Sequence, residues 1–546
     1  MHAARAIPYQ PLVRGRLAEL GAIVSGLLYF VSFAGFDQGW LTFVALVPLI
    51  LSLEGQGAKR GAWLGFLSGL AMTLGGFYWL VTMLRTFSGF PTPLCLLFVV
   101  VICSYQGGRL ALMGWLYGRA ASRGWKAPVV FAAAFAASEL VYPLLFPWYY
   151  AATVHTMPVL MQTAELGGPI LVSLVLVSIN LAVAEPLRAR LHAARDVASK
   201  FAGSRGQHLQ RHLDLCVIGV GVLTAVVALV FGVARISMTK SKMAMAPAVK
   251  VGFVQGNMAL IAKRENPGEG LRRHQRLTAD LKAQGVDLVV WSESSVTFAV
   301  PEEMAMKGQF FRDRFAASLG VPTIFGAVLF RVEPRRERWF NTAIATNARG
   351  EFTGRYDKQY LLAFGEYLPF GDTFPILYDW SPHSGRFSPG TAIEPIEVDI
   401  KGEKHKVSVL VCYEDILPGF ANRAVSHANP DLLVNITNDA WFGDSTEPYE
   451  HLALAKFRAI EHRRYLVRST NSGVSAIVDP TGSTVIQTKT FVATADSATI
   501  HWMNGRTVYE FVGDAPWYLT TGAIVFCAFR RRRPRTTVGG LSQPVG

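Results

Sequence analysis

Three chemically reactive side chains stand where three predicted β-strands end in the second half of the chain. Glu293 ends one apolar segment, Lys358 directly follows another, and Cys412 ends the strand-like segment 407–412. Acyl transfer through a thioester needs an ionisable thiol, a base that takes and returns its proton, and a cation or dipole that stabilises the oxyanion. Taken singly, the carboxylate and the amine could be ordinary surface residues. Their coincidence with the thiol at three strand ends indicates a catalytic site, with Cys412 as nucleophile, Glu293 as base and Lys358 as the stabilising cation.

Further residues next to these positions could support the same chemistry. The backbone N–H of Tyr413, directly after the thiol, is a natural second donor to an oxyanion. Glu366 could hold the ammonium group of Lys358 or the leaving group, or it could be a plain turn residue. The loop that begins at Asn438 follows another apolar strand, although its polar residues could also be loop caps.

The sequence lacks the common metal and nucleotide motifs. It contains no His-x-Glu-x-x-His or Cys-x-x-Cys pattern, no phosphate-binding glycine loop and no Gly-x-Ser-x-Gly turn. We therefore expect neither a metal nor a cofactor.

The composition separates this chemistry from a much more apolar remainder of the chain. Of the 546 residues, 51% are hydrophobic, and the mean hydropathy is +0.28. A chain of this composition is too apolar to be one soluble enzyme. The composition predicts three regions: a membrane domain at residues 1–238, a soluble catalytic domain at residues 248–512, and a last membrane helix with a basic tail at residues 515–546. About eight spans are predicted, at 18–35, 38–54, 61–84, 93–117, 127–147, 168–186, 214–236 and 515–530.

The basic residues predict the orientation of these spans. With the N terminus in the cytoplasm, the inner loops and the tail 530–535 hold the lysines and arginines, whereas the loop 149–168 on the other side has none. This positive-inside asymmetry puts residues 248–512 on the outer side of the membrane. The net charge of +14 then reflects topology and anionic lipid headgroups, and no nucleic-acid partner is expected because the basic residues are scattered over loops.

The distribution of cysteines favours a reactive role for Cys412. The other four, Cys95, Cys103, Cys216 and Cys527, lie in apolar segments. In an oxidising compartment a stray thiol is a liability, and a lone cysteine cannot form an internal disulfide. Cys412 is therefore either inert in the core or retained for its reactivity, and the nearby carboxylate and amine favour reactivity.

The soluble region alternates between short apolar strands and helices. Strands are predicted at 249–255, 286–291, 322–330, 340–346, 407–411, 432–437 and 474–478, and helices at 268–284, 302–318 and 449–463. Near-continuous apolar strands alternating with helices indicate sheets covered by helices on one face. The predicted fold class is an α/β domain inserted before the last helix of a polytopic α-helical membrane domain.

Short motifs surround the three reactive residues. The most specific are Val254–Asn257, Trp291–Glu293, Tyr356–Lys358, Phe364–Pro369, Val411–Glu414, Asn438–Gly443, Arg468–Gly473 and, in the apolar half, Phe146–Trp148. With these motifs the chain resembles the apolipoprotein N-acyltransferase family, the membrane branch of the nitrilase superfamily. The resemblance implies a nitrilase-like αββα sandwich for the soluble domain, and it covers nearly the whole chain.

The same resemblance implies site residues and a reaction. Glu293, Lys358 and Cys412 would be the catalytic triad, and Glu366, Tyr413 and Glu414 fall on family positions that activity also needs. The donor would be a phospholipid, and the acceptor the α-amine of a diacylglyceryl-cysteine at the N terminus of a lipoprotein, at the bacterial inner membrane. One departure concerns the loop after Gln255-Gly256, where the family often has a tryptophan and Arg264 lies nearest that place.

Two loops beside the catalytic positions carry large apolar side chains. One follows Lys358 and contains Tyr360, Leu361, Leu362 and Phe364; the other follows Asn438 and contains Trp441 and Phe442. Large apolar side chains on loops are costly in water unless they meet a partner or lipid, and tryptophan suits the headgroup region. We expect a lipid entrance here; the alternative is that these side chains pack inward on the sheet.

Two other functions fit parts of the sequence. A membrane-tethered amidase or nitrile hydrolase would use the same three residues with water as acceptor, but a mere anchor needs only one span. A transporter with an accessory domain would need ionisable residues within the spans, and few occur, Glu139 being the clearest. The number of predicted spans favours an acyltransferase that handles lipids.

Overall fold

The structure is a computed structural model that describes residues 11–201, 214–258, 267–334, 336–363, 365–368, 370–380 and 384–531. The predictions that concern Arg264, Phe364 and the arginines after 531 lie outside these residues. The described chain forms a helical half and an α/β half, and it returns to the helical half at its end.

Within the described residues, nine α-helices precede the first strand and form most of the helical half. They are α1 (Gly15–Val31), α2 (Val47–Leu53), α3 (Ala58–Gly76), α4 (Leu80–Ser88), α5 (Thr92–Ala121), α6 (Ala127–Val141), α7 (Pro158–Met161), α8 (Ala164–Phe201) and α9 (Leu215–Met245). Helices α3 and α5 pack closely because glycines face each other along their contact; a Cβ added at Gly65 would lie 2.0 Å from the carbonyl oxygen of Leu110. Many apolar side chains of α9 are exposed, as on a helix that faces lipid.

Among the described residues, three helical segments are long and apolar enough to cross a membrane: α5, α9 and the part Ala164–Arg195 of α8. Helices α3 and α4 together make a fourth if the pair, bent by 62°, is one span. Gly39–Leu53, α6 and the last helix are apolar but shorter. Several apolar helices are therefore present, but the predicted number of eight spans is not confirmed.

Local sequence explains two of the differences from the predicted spans. The predicted span 61–84 is two helices because the chain bends directly after Gly76. The predicted span 127–147 ends early, at Val141, because Pro143 follows and the residue before a proline disfavours the helical conformation.

The described part of the α/β half contains thirteen strands in two sheets. The strands are β1 (Ala248–Gln255), β2 (Leu288–Trp291), β3 (Ala299–Pro301), β4 (Thr323–Glu333), β5 (Arg336–Thr346), β6 (Phe352–Asp357), β7 (Ile396–Ile400), β8 (Glu403–Val411), β9 (Leu432–Thr437), β10 (Leu466–Thr470), β11 (Ala476–Val478), β12 (Thr484–Gln487) and β13 (Thr494–His501). One sheet has the order β13-β1-β2-β4-β5-β6, with β3 beside β4, and the other has the order β12-β11-β10-β9-β8-β7. Strands β1, β2 and β4 are parallel, as are β8, β9 and β10, so their carboxyl ends meet at one edge of each sheet.

Helices cover the outer faces of both sheets. The described residues after α9 contain α10 (Pro267–Ala283), α11 (Glu302–Met306), α12 (Ala317–Leu319), α13 (Ile376–Trp380), α14 (Pro418–Ala428), α15 (Glu447–His462), α16 (Val508–Val512) and α17 (Ala515–Phe529). Of these, α10, α11, α14 and α15 contact strands of the sheets, whereas α17 packs on α5 and α6 of the helical half. The two sheets bury Val251, Leu288, Val409 and Val434 between them, while α10 and α15 bury apolar side chains on the outer faces. The layers run α-β-β-α, as predicted.

Helix α15 is nearly all buried because it has neighbours on opposite sides. Leu452, Ala455 and Ala459 pack on the second sheet, whereas Leu454 and Phe457 pack into the core of the helical half. The α/β half is therefore docked on the helical half through this helix. The predicted helix 302–318 is wrong in its middle, since only its two ends are α-helical and a π-helical turn, Arg312–Ala316, precedes the second.

Candidate active site

Cys412 lies on a sharp turn at the carboxyl end of β8. Its φ angle is +53°, in the left-handed region that side chains other than glycine rarely adopt, and a 3₁₀ turn, Cys412–Ile416, begins with it. Such a backbone costs on the order of 1–3 kcal/mol and persists only where the surroundings hold it. The turn leaves the thiol only 7% exposed at the edge where the parallel strands end.

The carboxylate of Glu414 holds this turn against the loop that carries Lys358. One oxygen accepts a hydrogen bond from the backbone N–H of Val411 (2.8 Å), and the other from the backbone N–H groups of Gln359 (2.7 Å) and Tyr360 (3.0 Å). Burial raises the pKa of Glu414 to about 7, although these backbone N–H groups favour its charged form. Glu414 therefore positions two reactive groups and is itself turned away from the thiol.

Lys358 follows β6 and is 1% exposed. Its Nζ lies 2.7 Å from Oε2 of Glu366 and 3.7 Å from Oε1 of Glu293. Burial alone would lower the pKa of Lys358, but the charge that Cys412 carries once it is a thiolate, together with the carboxylates of Glu366 and Glu293, outweighs it and raises the pKa. The ammonium group is therefore charged beside the thiol, as an oxyanion-stabilising cation must be.

Asn341, which the sequence reasoning did not single out, joins the two carboxylates. Its side-chain Nδ2 donates to Oε1 of Glu293 (2.5 Å) and to Oε1 of Glu366 (2.7 Å), and its backbone carbonyl accepts from the backbone N–H of Lys358 (2.8 Å). The sequence does contain a signal for this role, because an asparagine inside a predicted apolar strand is expected to be buried, and a buried amide needs hydrogen-bond partners. In the structure Asn341 is 4% exposed. The side-chain amide of Asn341 therefore holds the two carboxylates together, and its backbone carbonyl holds the segment that carries Lys358.

The thiol is held in its neutral form at rest. Burial raises the pKa of Cys412 well above its usual range, the ammonium group of Lys358 opposes this, and the carboxylates of Glu293 and Glu366 add to it. Ionisation of the thiol therefore needs an acceptor close by, and Glu293 belongs to the same cluster of charges. The three predicted residues and Glu366 thus meet in one buried site, with Asn341 as an additional member.

Tyr413 reaches away from the thiol into the helical half. Its hydroxyl group donates to the carbonyl of Leu145, and its ring packs between the core of the sheets and the core of the helices. Gln106, which is buried in α5, holds the same segment by accepting from the N–H of Leu145 (2.7 Å) and donating to the carbonyl of Phe146 (2.8 Å). The residue after the nucleophile is therefore anchored to the helical half.

The loop that begins at Asn438 is also docked on the helical half. Asn438 accepts a hydrogen bond from Asn471 (2.9 Å), and the ring of Phe442 is buried edge-to-face against Trp79, with 5.2 Å between ring centroids. Trp441 is partly buried against the same helical core. These aromatic side chains thus pack against the core of the helical half.

The loop after Lys358 borders an open cleft of about 970 Å³. Tyr360 is half exposed, and it lines this cleft together with Gln359 and Leu361. Leu362 is partly buried nearby. The cleft gives the solvent access to the loop that carries the ammonium group of Lys358.

Asp439, Glu447 and His451 bring three possible metal-ligand atoms within 4.8 Å of one another. These atoms already have partners, since Nδ1 of His451 faces Oδ1 of Asp439 at 3.3 Å and Arg468 donates to Oδ2 of Asp439 at 3.0 Å. An arginine bound to the same carboxylate does not suit a divalent cation, so the cluster does not fit a metal site.

Comparisons with known proteins agree with this architecture. The family model for the apolipoprotein N-acyltransferase N-terminal domain matches residues 25–182, and the carbon-nitrogen hydrolase model matches residues 250–501. A relative named apolipoprotein N-acyltransferase, from Azotobacter vinelandii, is 30% identical over 538 residues, covering 95% of this chain and 96% of the relative. The chain belongs to the apolipoprotein N-acyltransferase family.

Other similar proteins cover the whole chain or only the α/β half. A family member from Geobacter metallireducens is 29% identical over 523 residues, covering 94% of this chain and 95% of its own. Among solved structures, a mutant amidase of the nitrilase superfamily from Nesterenkonia AN1 is 19% identical with a TM-score of 0.36, covering 50% of this chain and 96% of its own. The predicted nitrilase-like αββα fold of the α/β half is confirmed by the hydrolase match together with the two packed sheets.

Proposed function

We propose that this protein transfers a fatty acyl chain from a membrane phospholipid to the N-terminal α-amine of diacylglyceryl-cysteine in lipoproteins, through a thioester at Cys412. Family membership supports an acyltransferase of this kind. The observation that carries the mechanism is the buried contact of Lys358 with Glu293 and Glu366 beside the thiol.

In the first step the thiol becomes acylated. Glu293 takes the proton of Cys412, and the thiolate attacks the ester carbonyl carbon of the phospholipid. Lys358 and the backbone N–H of Tyr413 stabilise the tetrahedral oxyanion, and the lysophospholipid alkoxide leaves with the proton that Glu293 returns. Glu366 and Asn341 hold the ammonium group and the base in place.

In the second step the acceptor amine replaces the lysophospholipid. Its nitrogen attacks the thioester carbonyl, Glu293 accepts a proton from the amine, and the oxyanion is stabilised by the same donors. When the intermediate collapses, the sulfur leaves and is reprotonated by Glu293, so the enzyme returns to its resting state. No cofactor takes part in this scheme.

We propose the following membrane arrangement. Residues 1–238 and 515–546 form a polytopic domain of about eight spans in the bacterial inner membrane, and residues 248–512 form the periplasmic catalytic domain. The positive-inside distribution and the exposed apolar side chains of α9 support this topology. A reporter fused after Gly546 that is active only outside the cytoplasm should stay silent, and activity there would contradict the arrangement.

We further propose that lipid enters beside the cleft that Tyr360 and Leu361 line. The half-exposed ring of Tyr360, close to the ammonium group of Lys358, supports this location.

The contacts of Glu139 argue against the transporter alternative. This carboxylate forms a buried ion pair with Arg109 at 3.0 Å and accepts a hydrogen bond from the N–H of Tyr150. These contacts give Glu139 a structural role in the helical half.

Mass spectrometry of the intact protein after incubation with a phospholipid tests the mechanism. We expect one acyl adduct on the Cys412 peptide, none in Cys412→Ser, and an unchanged adduct in the control Cys216→Ser, whose thiol is exposed elsewhere. A diacylated lipopeptide with a free amine should remove the adduct, whereas the N-acetylated lipopeptide should not. Near-normal turnover of Cys412→Ser would contradict the covalent mechanism, and equal loss of the adduct in water alone would favour the amidase alternative.

A further inference from the structure

A cluster of four charged side chains lies buried behind the nucleophile turn. It consists of Asp415, Asp439, His451 and Arg468, of which His451 is 5% exposed and the other three are fully buried. Nε2 of His451 lies 2.8 Å from Oδ1 of Asp415, and its Nδ1 lies 3.3 Å from Oδ1 of Asp439. None of these four residues takes part in the proposed proton transfers.

The two contacts of His451 determine its protonation state. A neutral imidazole has one N–H, so one of its nitrogens would turn a lone pair toward a carboxylate. Both ring nitrogens face carboxylate oxygens here, and both can donate only if the ring is an imidazolium. The electrostatics agree: burial and the charge of Arg468 oppose the charged form, but Asp415 and Asp439 raise the pKa of His451 to about 10.

The charges of the cluster balance only with this imidazolium. Arg468 donates to Oδ2 of Asp415 (2.7 Å) and to Oδ2 of Asp439 (3.0 Å), so each carboxylate meets two cations. The remaining titratable group that faces the ring is Glu447, whose Oε1 lies 3.8 Å from Nδ1 on the same helix. Burial raises the pKa of Glu447 well above its usual range, which leaves it neutral.

The cluster is connected to the nucleophile through backbone and side chains. Asp415 belongs to the turn that begins with Cys412. Arg468 also donates to Oδ1 of Asn435 (2.7 Å), and Nδ2 of Asn435 donates to the carbonyl oxygen of Cys412 (3.1 Å). The charge of Arg468 and a thiolate at Cys412 influence each other directly.

We propose that His451 is a positioning residue held as an imidazolium, which keeps the surroundings behind Cys412 electrically neutral so that the thiol can ionise. The inference rests on the proposed function, because it assigns a purpose to thiol ionisation. Without this charge, two carboxylates would face a single arginine. The excess negative charge in a buried site would oppose formation of the thiolate.

The test measures alkylation of Cys412 by iodoacetamide in the full-length protein in nanodiscs, from pH 6 to pH 10, read on the Cys412 peptide by mass spectrometry. His451→Gln should slow alkylation at neutral pH by about tenfold, as expected when the pKa of the thiol rises by about one unit. Asp439→Asn removes one negative charge and should therefore increase the rate of alkylation of Cys412. The double variant His451→Gln/Asp439→Asn is neutral again and should recover the wild-type rate to within about threefold, since the two charge effects cancel. The control His427→Gln changes an exposed histidine on α14 and should have no effect.

Charge rescue separates this proposal from a packing role. If His451 only filled space and formed hydrogen bonds, the double variant would be at least as slow as His451→Gln, and that result would overturn the proposal. Wild-type rates in all variants would also overturn it. If His451→Gln does not fold, the double variant His451→Gln/Asp439→Asn, whose cluster is neutral, decides instead: a rate within about threefold of wild type supports the imidazolium, and a slower rate refutes it. Alkylation needs no acyl donor or acceptor, so failure of the proposed transfer reaction would leave this test intact.

Discussion

Replacing Asn341 by leucine tests whether the amide between the two carboxylates organises the catalytic site. Leucine has nearly the same shape but no donor, so Asn341→Leu removes both hydrogen bonds, to Glu293 and to Glu366, and leaves both carboxylates in place. Glu293 then loses the donor that lies 2.5 Å from its Oε1, whereas the ion pairs of Lys358 with both carboxylates remain. We expect slower acylation of Cys412 by phospholipid.

The size of the effect follows from the two bonds. A hydrogen bond to a charged group contributes about 1.5–3 kcal/mol, so the pair amounts to roughly 3–6 kcal/mol. If the full amount were lost in the transition state, the rate would fall by roughly 10²- to 10⁴-fold, at about 1.4 kcal/mol per tenfold. Loss of the base alone has a similar ceiling, about 10²- to 10⁴-fold. A decrease of about a hundredfold is therefore the smallest effect that we expect.

The assay is single-turnover acylation of Cys412 by phospholipid, with thermal unfolding measured on the same sample. Thr342→Val is the matched control: it removes a buried hydrogen bond to the carboxylate of Asp357 (2.7 Å) from the adjacent position of the same strand. This control should lose comparable stability but keep its acylation rate within about tenfold, because it leaves Glu293 and Glu366 untouched. Folded Asn341→Leu protein with an acylation rate within about tenfold of wild type would refute the reasoning.

Four further predictions follow from the same structure. Glu293→Gln and Lys358→Met should each lower the rate of Cys412 acylation by about 10²-fold or more with normal thermal unfolding, because both groups act on the chemical step; unfolding of both variants would return them to structural roles. Tyr413→Phe loses its bond to the helical half and should slow acylation by phospholipid more than alkylation by iodoacetamide; equal slowing would point to a distorted turn instead. Leu361→Ser should slow acylation by phospholipid more than by a small soluble thioester donor, and equal slowing with both donors would exclude a lipid entrance there. Since the pKa of His451 is raised in the folded protein from an ordinary 6.5 to about 10, its stabilising contribution is complete below pH 6.5 and is lost as the pH rises through 10; thermal unfolding scans should show this decline in the wild type and a flatter profile in His451→Gln.

The order of side chains along strands is fixed by the sequence, and it was sufficient to single out Glu293, Lys358 and Cys412 as candidate catalytic residues. Buried strands are continuous apolar segments, so a carboxylate, an amine or a thiol directly after one is visible without a structure, as at Glu293, Lys358 and Cys412. Glu293 and Lys358 follow β2 and β6 of one sheet, whereas Cys412 follows β8 of the other, so the packing of the two sheets brings these residues together. The motifs around them were enough to indicate the family.

The number of membrane-crossing helices was less accessible, because apolar composition does not tell a helix that crosses a bilayer from one that is buried in protein. Helix α6, for example, packs its face with Phe131, Phe135 and Ala137 into the helical core and is only 15 residues long. The loop aromatic Phe442 was ambiguous for the same reason. Its hydrophobicity required a partner, but only the tertiary structure showed that the partner is Trp79.

The contacts between residues far apart in the chain were decided only by the tertiary structure. Asn341 serves Glu293 and Glu366 because strand pairing brings it between them, and His451 becomes an imidazolium because a turn and a loop from two other strands each supply a carboxylate to the face of α15. The sequence by itself determined which groups are available for chemistry, because the type of each residue and its place at the end of an apolar strand are visible in the sequence. Their protonation and their distances depend on neighbours that local patterns do not specify, because electrostatic and hydrogen-bond energies depend on three-dimensional separation and not on position along the chain.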